Sequence, residues 1–245
     1  MTQIIRAPTA LSNPTGILPL PNIVDNLFVK WKASDLALSN GADVTGWIAG
    51  DGLANSTIKN LNQIPTTAAP KMSTTTGPNS GKAVVFDGSC AIRHSTTFTA
   101  QAQPITLYGV VRVDQFTGNS TTANRIVASA TGSMLRPSTT PILVAGLGSE
   151  KTIVSGLGVG TWYAVAVTLN GANSLSFVNG TAFSGDMGSD TLTRVILGGS
   201  AGLLGTVTTG FKGAIAELGM FTRAFRADEL STLVDKLKLT YPGIS

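Results

Sequence analysis

From Trp162 to Gly180 the chain reads WYAVAVTLNGANSLSFVNG, and side-chain character alternates along it. Tyr163, Val165, Val167 and Leu169 share one face; Trp162, Ala164, Ala166 and Thr168 share the other. A period of two is that of a β-strand. Asn170-Gly171 ends the run, and because Asn-Gly tolerates the positive φ of a tight hairpin, the chain is expected to reverse there or within the next few residues. Leu175 and Phe177 are expected to continue the apolar face on the return strand, and Asn179-Gly180 to turn once more. The pattern is a meander with no helical crossover.

The same pattern recurs in KAVVFDG with SCAIRH, then in ITLYGVVRVD, RIVASA, ILVAG, KTIVS, RVILGG and FKGAIAELGMF, each bounded by Gly, Pro, Asn, Ser or Thr. At least ten short strands at this spacing predict a sandwich or a barrel. One helix is predicted in FRADELSTLVDKLKL, where Leu230, Leu233, Val234 and Leu237 stand at i, i+3, i+4 and i+7. Asp228 and Glu229 lie toward its start and Lys236 and Lys238 toward its end, as the helix dipole favours.

Two segments break the pattern. Residues 1–22 place Pro8, Pro14, Pro19 and Pro21 among Ile4, Ile5, Leu11, Ile17, Leu18 and Leu20, which reads as an extended arm with side chains to bury, either along its own domain or on a neighbour. Residues 64–81, IPTTAAPKMSTTTGPNSG, read as a long surface loop. The domain reading is therefore an arm over 1–22 and a single sandwich over 23–245, a size that all-β domains reach as one unit and that buries a core without staples.

Charge and composition narrow the partners. Charged residues make up only 12% of the chain, the formal net charge is +4, and the cations are scattered, with Lys30/Lys32 and Lys236/Lys238 the closest groupings. A nucleic-acid footprint clusters its cations and interleaves them with stacking aromatics, so nucleic acid is not expected as a partner. Cys90 is the single cysteine, which excludes an intrachain disulfide. No 18-residue apolar stretch predicts a membrane span, and prolines interrupt every apolar run of the first 22 residues, so folding in a cytoplasm is expected and the sequons at Asn55, Asn119 and Asn179 carry no glycosylation meaning.

Four motifs, in order, resemble the concanavalin A-like lectin/glucanase superfamily in its laminin-G-like branch. In NLFVKWKASDLALSNGADVTGWIAGDG, Trp31, Ala33-Ser34-Asp35 and the run Val44 to Trp47 are similar to the opening of such domains. GKAVVFDGSCAIRH resembles the Gly-Lys-x-Ala-Val-x-Phe-Asp-Gly-Ser step, GTWYAVAVTLNGANSLSFVNG the Gly-x-Trp-Tyr strand and its hairpin, and FKGAIAELGMFTRAFRADELSTL the closing strand and terminal helix. The resemblance covers about residues 23–240 and implies a two-sheet antiparallel jelly-roll sandwich with one short C-terminal helix. Three positions depart from it: Ala216-Glu217 replaces the Asp-Glu of many relatives, Arg226 stands where the helix N-cap Ser is usual, and Cys90-Ala91 replaces acidic residues.

Candidate chemistry is sparse. Retaining glycosidases need two carboxylates about 5–5.5 Å apart, but the glutamates are only Glu150, Glu217 and Glu229, with no Glu-x-Asp-x-x-Glu, so Glu217 reads as a structural hydrogen-bonding residue on an inner or edge strand. His94, the sole histidine, reads as a strand-end surface residue, and Cys90 as a filler of a small apolar space. Asp186 and Asp190 read as a solvated loop rather than a calcium site, and the glycines of GLGVGTWY and GLGSEKT match no phosphate-binding context. Trp31, Trp47 and Trp162 read as packing residues. No catalytic residue, cofactor or metal is expected.

Two functions remain open. The resemblance, in a chain of this composition, extends to tail, fibre and capsid-surface proteins of phages. It implies a non-enzymatic virion component, with Ile4, Ile5, Leu11, Ile17, Leu18 and Leu20 docking on other virion proteins or sister subunits and the sandwich facing host glycans. The alternative is a lectin-like module whose main role is glycan recognition; a hydrolase with an unrecognised carboxylate pair is a third, weaker reading.

Overall fold

The computed structural model describes residues 26–50, 59–65, 67–116, 124–130, 132–199 and 210–244. The arm residues Ile4, Ile5, Leu11, Ile17, Leu18 and Leu20 lie outside the described residues, as do Asn55 and Asn119. The strands among the described residues are β1 (Leu27–Lys32), β2 (Gly46–Ile48), β3 (Asn60–Gln63), β4 (Lys71–Ser73), β5 (Ala83–Asp87), β6 (Ile92–Arg93), β7 (Ile105–Val113) and β8 (Val127–Ala128). They continue as β9 (Ser133–Pro137), β10 (Ile142–Ala145), β11 (Lys151–Ser155), β12 (Trp162–Leu169), β13 (Ser174–Val178), β14 (Thr181–Gly185), β15 (Ile196–Leu197) and β16 (Lys212–Phe221), followed by the helix α1 (Ala227–Thr240).

The strands form two antiparallel sheets. The first runs β14-β13-β12-β7-β16-β5-β4, with β1 also paired to β16; the second runs β11-β10-β9-β8-β15-β6-β3-β2. This is the jelly-roll sandwich that the resemblance implied. The main core lies between the sheets, where Tyr163, Val165, Val167 and Leu169 meet Trp47, Leu61, Ile92 and Leu197. A second core covers the outer face of the first sheet, where Trp162, Ala164 and Ala166 pack with Leu230, Leu233, Val234 and Leu237 of α1.

Both faces of β12 are therefore buried, and the parity read from its sequence holds on each. Leu175 and Phe177, however, pack on the helix side and not beside Tyr163 and Val165. The reason is register: four residues, 170–173, separate β12 from β13, and the pairing sets Ala166 opposite Phe177 and Thr168 opposite Leu175. The next reversal is tighter. Asn179 and Gly180 both hold positive φ, 47° and 100°, as a two-residue primed turn requires, and β14 pairs directly back onto β13.

Residues 64–81 are not one long loop. Within them Lys71–Ser73 form β4, which closes the edge of the first sheet against β5. At the other chain end Arg226 does stand at the N-cap of α1, and Glu229 accepts its backbone N–H at 2.9 Å, so the carboxylate half of a capping box replaces the missing Ser. No helix among the described residues is long and apolar enough to cross a membrane.

Candidate functional site

The three glutamates are each held in structural pairs. Glu217, only 5% exposed on the central strand β16, accepts the hydroxyl hydrogens of Tyr108 at 3.1 Å and Tyr241 at 2.6 Å, with the Lys32 ammonium 3.7 Å away. Glu150 receives Arg136 through Nε at 3.0 Å and Nη2 at 2.6 Å, and Glu229 takes Arg223 Nη1 at 2.9 Å besides its capping bond. Glu217 is thus an inner-strand hydrogen-bonding residue, as its sequence context implied.

His94 corrects the sequence reading. It is fully buried, not on the surface: its Nδ1 accepts the Val195 N–H at 3.0 Å, and its ring packs against Phe98 and Trp31, with centroids 5.3 and 6.1 Å away. A paired imidazole between two aromatic rings loses little by leaving water. Cys90 is buried beside Phe86, and burial pushes its thiol up to about 12, so it is an inert filler. Trp31 and Trp47 are fully buried, their Nε1–H groups donating to the carbonyls of Lys59 and Lys32. Trp162 donates to the Thr76 carbonyl at 3.2 Å, with the Arg112 guanidinium 5.5 Å from its ring centroid. All three tryptophans pack.

Asp186 accepts the Gly188 N–H at 2.9 Å in its own turn, while Asp190 lies against Gly148, whose added Cβ would fall 3.0 Å from its carboxyl carbon. Among the described residues no group of three or more His, Cys, Asp or Glu is placed to hold a metal ion.

The open chemistry lies elsewhere, at the sandwich edge where β2 ends the second sheet. A cleft of about 450 Å³ opens there between the 3-10 turn Ala33–Asp35, the segment that follows it, and the strands β2 and β3. Leu36, Leu38 and Ile48 give it apolar walls; Asp35, Asp43, Thr45, Asn60 and Asn62 give it hydrogen-bonding groups. The strands set this directly. Along β3, Leu61 points into the core opposite Trp47, so Asn60 and Asn62 point outward, opposite Ile48 and Gly46. Ile48 is 63% exposed. Gly46 leaves the floor beside Asn62 free of a side chain. Asp43 is ion-paired with Lys71 at 2.6 Å, whereas Asp35 faces the Gly50 backbone and, among the described residues, takes only a 3.3 Å bond from Ser34 Oγ.

Sequence reasoning did not pick out this cleft. Its one local signal is Asn60-Leu61-Asn62, two strand-disfavoured amides at alternating positions around a core leucine. A second, smaller hollow of about 220 Å³ lies between β13, β14 and the start of α1, lined by Leu175, Phe177, Phe183 and Leu230.

No protein-family model matches the chain, and no curated protein matches it. Solved structures do resemble it. Domain 4 of AbnA, a GH43 extracellular arabinanase from Geobacillus stearothermophilus, in complex with arabinotriose, superposes with a TM-score of 0.58 at 17% identity, covering 85% of this chain and 98% of that one. The receptor-binding domain of a botulinum neurotoxin mosaic serotype C/D gives 0.57 at 9% identity, covering 89% of this chain and 52% of that one. Trypanosoma rangeli sialidase in complex with sialic acid gives 0.50 at 12% identity, with 86% and 33% covered. The chain thus spans about half of that receptor-binding domain and a third of the sialidase. At these identities the likeness is one of fold, a two-sheet antiparallel sandwich.

Proposed function

We propose that the chain is a non-catalytic recognition module that binds a saccharide in the cleft between Asp35 and Asn62. The observation that carries this is the composition of the cleft. Asp35, Thr45, Asn60 and Asn62 offer acceptors and donors for sugar hydroxyls, and Leu36, Leu38 and Ile48 offer apolar surface for the C–H face of a ring. The fold likeness to a domain solved with arabinotriose supports the same reading. Engagement of Glu150, Glu217 and Glu229 in structural pairs supports a module that binds without hydrolysing.

The test is calorimetric titration of the purified chain with a panel of neutral and acidic oligosaccharides, arabinotriose and sialyllactose among them. Saturable binding that disappears in the Asn60→Ala/Asn62→Ala variant is the expected result. No saturable binding across the panel, or undiminished binding by the variant, rejects the proposal.

The proposal extends to where the module is mounted: on a phage virion, through residues 1–22, with Ile4, Ile5, Leu11, Ile17, Leu18 and Leu20 docked on other virion proteins or sister subunits. Support comes from the sequence, in the proline-spaced apolar arm, the 12% charge content and the single thiol. An extended apolar segment adds readily to a neighbour's groove or sheet edge. Deleting residues 1–22 should abolish incorporation into particles and leave a soluble, folded sandwich; unchanged incorporation rejects this part.

A further inference from the structure

The outer face of the second sheet continues beyond the cleft. Asn62 on β3 is in register with Arg93 on β6, and Arg93 in turn with Ile196 on β15. Val195 and Leu197 belong to the main core, so Ile196 and Arg194 project on the opposite, outer side together with Arg93. Walking outward from the cleft wall, the chain therefore presents an amide and then two guanidinium groups.

Both residues are half-buried, and neither the Arg93 nor the Arg194 side chain has a hydrogen bond or ion pair with a described residue. The Nε of Arg194 is buried without an acceptor. Burial first, and then the charge of Arg194, lower the pKa of Arg93. Arg125, just before β8 of the same sheet, also buries its Nε without an acceptor, whereas four other described arginines are held by acids. Arg112, Arg136, Arg223 and Arg226 each hold a carboxylate at 2.6–3.1 Å. Two neighbouring half-buried guanidinium groups, one with a buried donor left unpaired, offer planar forks of the kind that a carboxylate matches.

We infer that the saccharide taken by the cleft is anionic, a uronic or sialic acid, with its carboxylate seated on Arg93 and Arg194 and its neutral hydroxyls on Asn62, Asn60 and Asp35. The inference rests on the saccharide reading of the cleft and adds the ligand's charge class to it. Asp35 on the far wall sets the polarity, since it repels a carboxylate and accepts hydroxyl hydrogens, whereas the charge of Asp43 is met by Lys71. An acidic sugar is thereby oriented along the face.

The test compares 3′-sialyllactose and digalacturonate with lactose and 6-sulfated lactose, on the full chain and on Arg93→Gln/Arg194→Gln. At least one carboxylated sugar should bind about tenfold or more tighter than lactose, a gap worth about 1.4 kcal/mol. The variant should reduce that preference to near parity while keeping its affinity for lactose. Arg194→Lys keeps the charge and the apolar stem without the fork, and should lose most of the preference even where the double variant does not fold. Equal binding of lactose and both acids, a preference retained in the folded variants, or preference for the sulfated sugar alone overturns the inference and leaves the saccharide reading standing. Binding of no sugar at all removes both.

Discussion

Tyr241 donates its hydroxyl hydrogen to Glu217 Oε2 across 2.6 Å, which ties the residue that ends α1 to the central strand of the first sheet. Tyr108 donates to the other oxygen of the same carboxylate, and its ring lies over Gly219, where an added Cβ would fall 2.3 Å from Tyr108 Cε1. A strand, a glycine in register with an aromatic, and a helix end thus meet at one carboxylate. Tyr241→Phe leaves Glu217 Oε2, among the described residues, only the more distant Lys32 ammonium, and should cost about 1–2 kcal/mol and lower the melting temperature by roughly 2–8 °C.

The same pair fixes a pH dependence. Burial, then the negative charge of Glu217, holds the Tyr241 phenol above its ordinary value of 10.0. The unfolded chain releases this proton near pH 10 and the folded chain keeps it, so the contribution is complete below pH 10 and is lost as pH rises toward the folded value. Denaturant unfolding above pH 10 should therefore show a steeper loss of stability in the parent than in Tyr241→Phe. Parallel slopes would refute the coupling.

How far the sequence led can be judged at β12 and β13. Alternation along β12 reveals which residues share a face, because the period of a strand is fixed by geometry. It does not reveal how many residues the turn after it consumes, and that number places Leu175 and Phe177 under α1. His94 was misjudged for a similar reason: a polar residue at a strand end reads as exposed until its partner, the N–H of Val195, is known, and that partner lies 101 positions away. The cleft was invisible because its groups come from a 3-10 turn, the segment after it, β2 and β3, none of which carries a motif alone.

Thr106 and Thr168 place their hydroxyls 2.9 Å apart on neighbouring strands, and both accept the Phe225 N–H at 3.2 Å. Thr106 also donates to the Arg223 carbonyl at 2.8 Å. The two hydroxyls satisfy the buried backbone of the turn that launches α1. Thr168→Val keeps the shape and removes one hydroxyl, and should destabilise by about 1 kcal/mol, read as a shift in denaturant midpoint without a change in slope.

Cys90 gives a probe of opening. With its thiol pushed up to about 12 by burial, it stays protonated and enclosed at pH 8. A disulfide reagent such as DTNB should leave the native chain unlabelled over the time in which the denatured chain reacts fully. Fast labelling of the native protein would contradict the packing around Phe86 and Ile92.

On β3, neighbouring positions should separate stability from binding. Leu61 is fully buried opposite Trp47, while Asn62 is exposed at the cleft beside Arg93. Leu61→Ala leaves a cavity in the main core and should cost about 2–5 kcal/mol, whereas Asn62→Ala removes an outward amide and should change stability by no more than about 0.5 kcal/mol. If the cleft is the saccharide site, Asn62→Ala weakens sugar binding at an unchanged melting temperature. Leu61→Ala lowers the melting temperature and, in the fraction still folded, leaves affinity near that of the parent, because the outward groups keep their places on the strand. A strand whose alternate residues could not be separated in this way would mean that the cleft is framework, and the binding surface would have to be sought on another face of the sandwich.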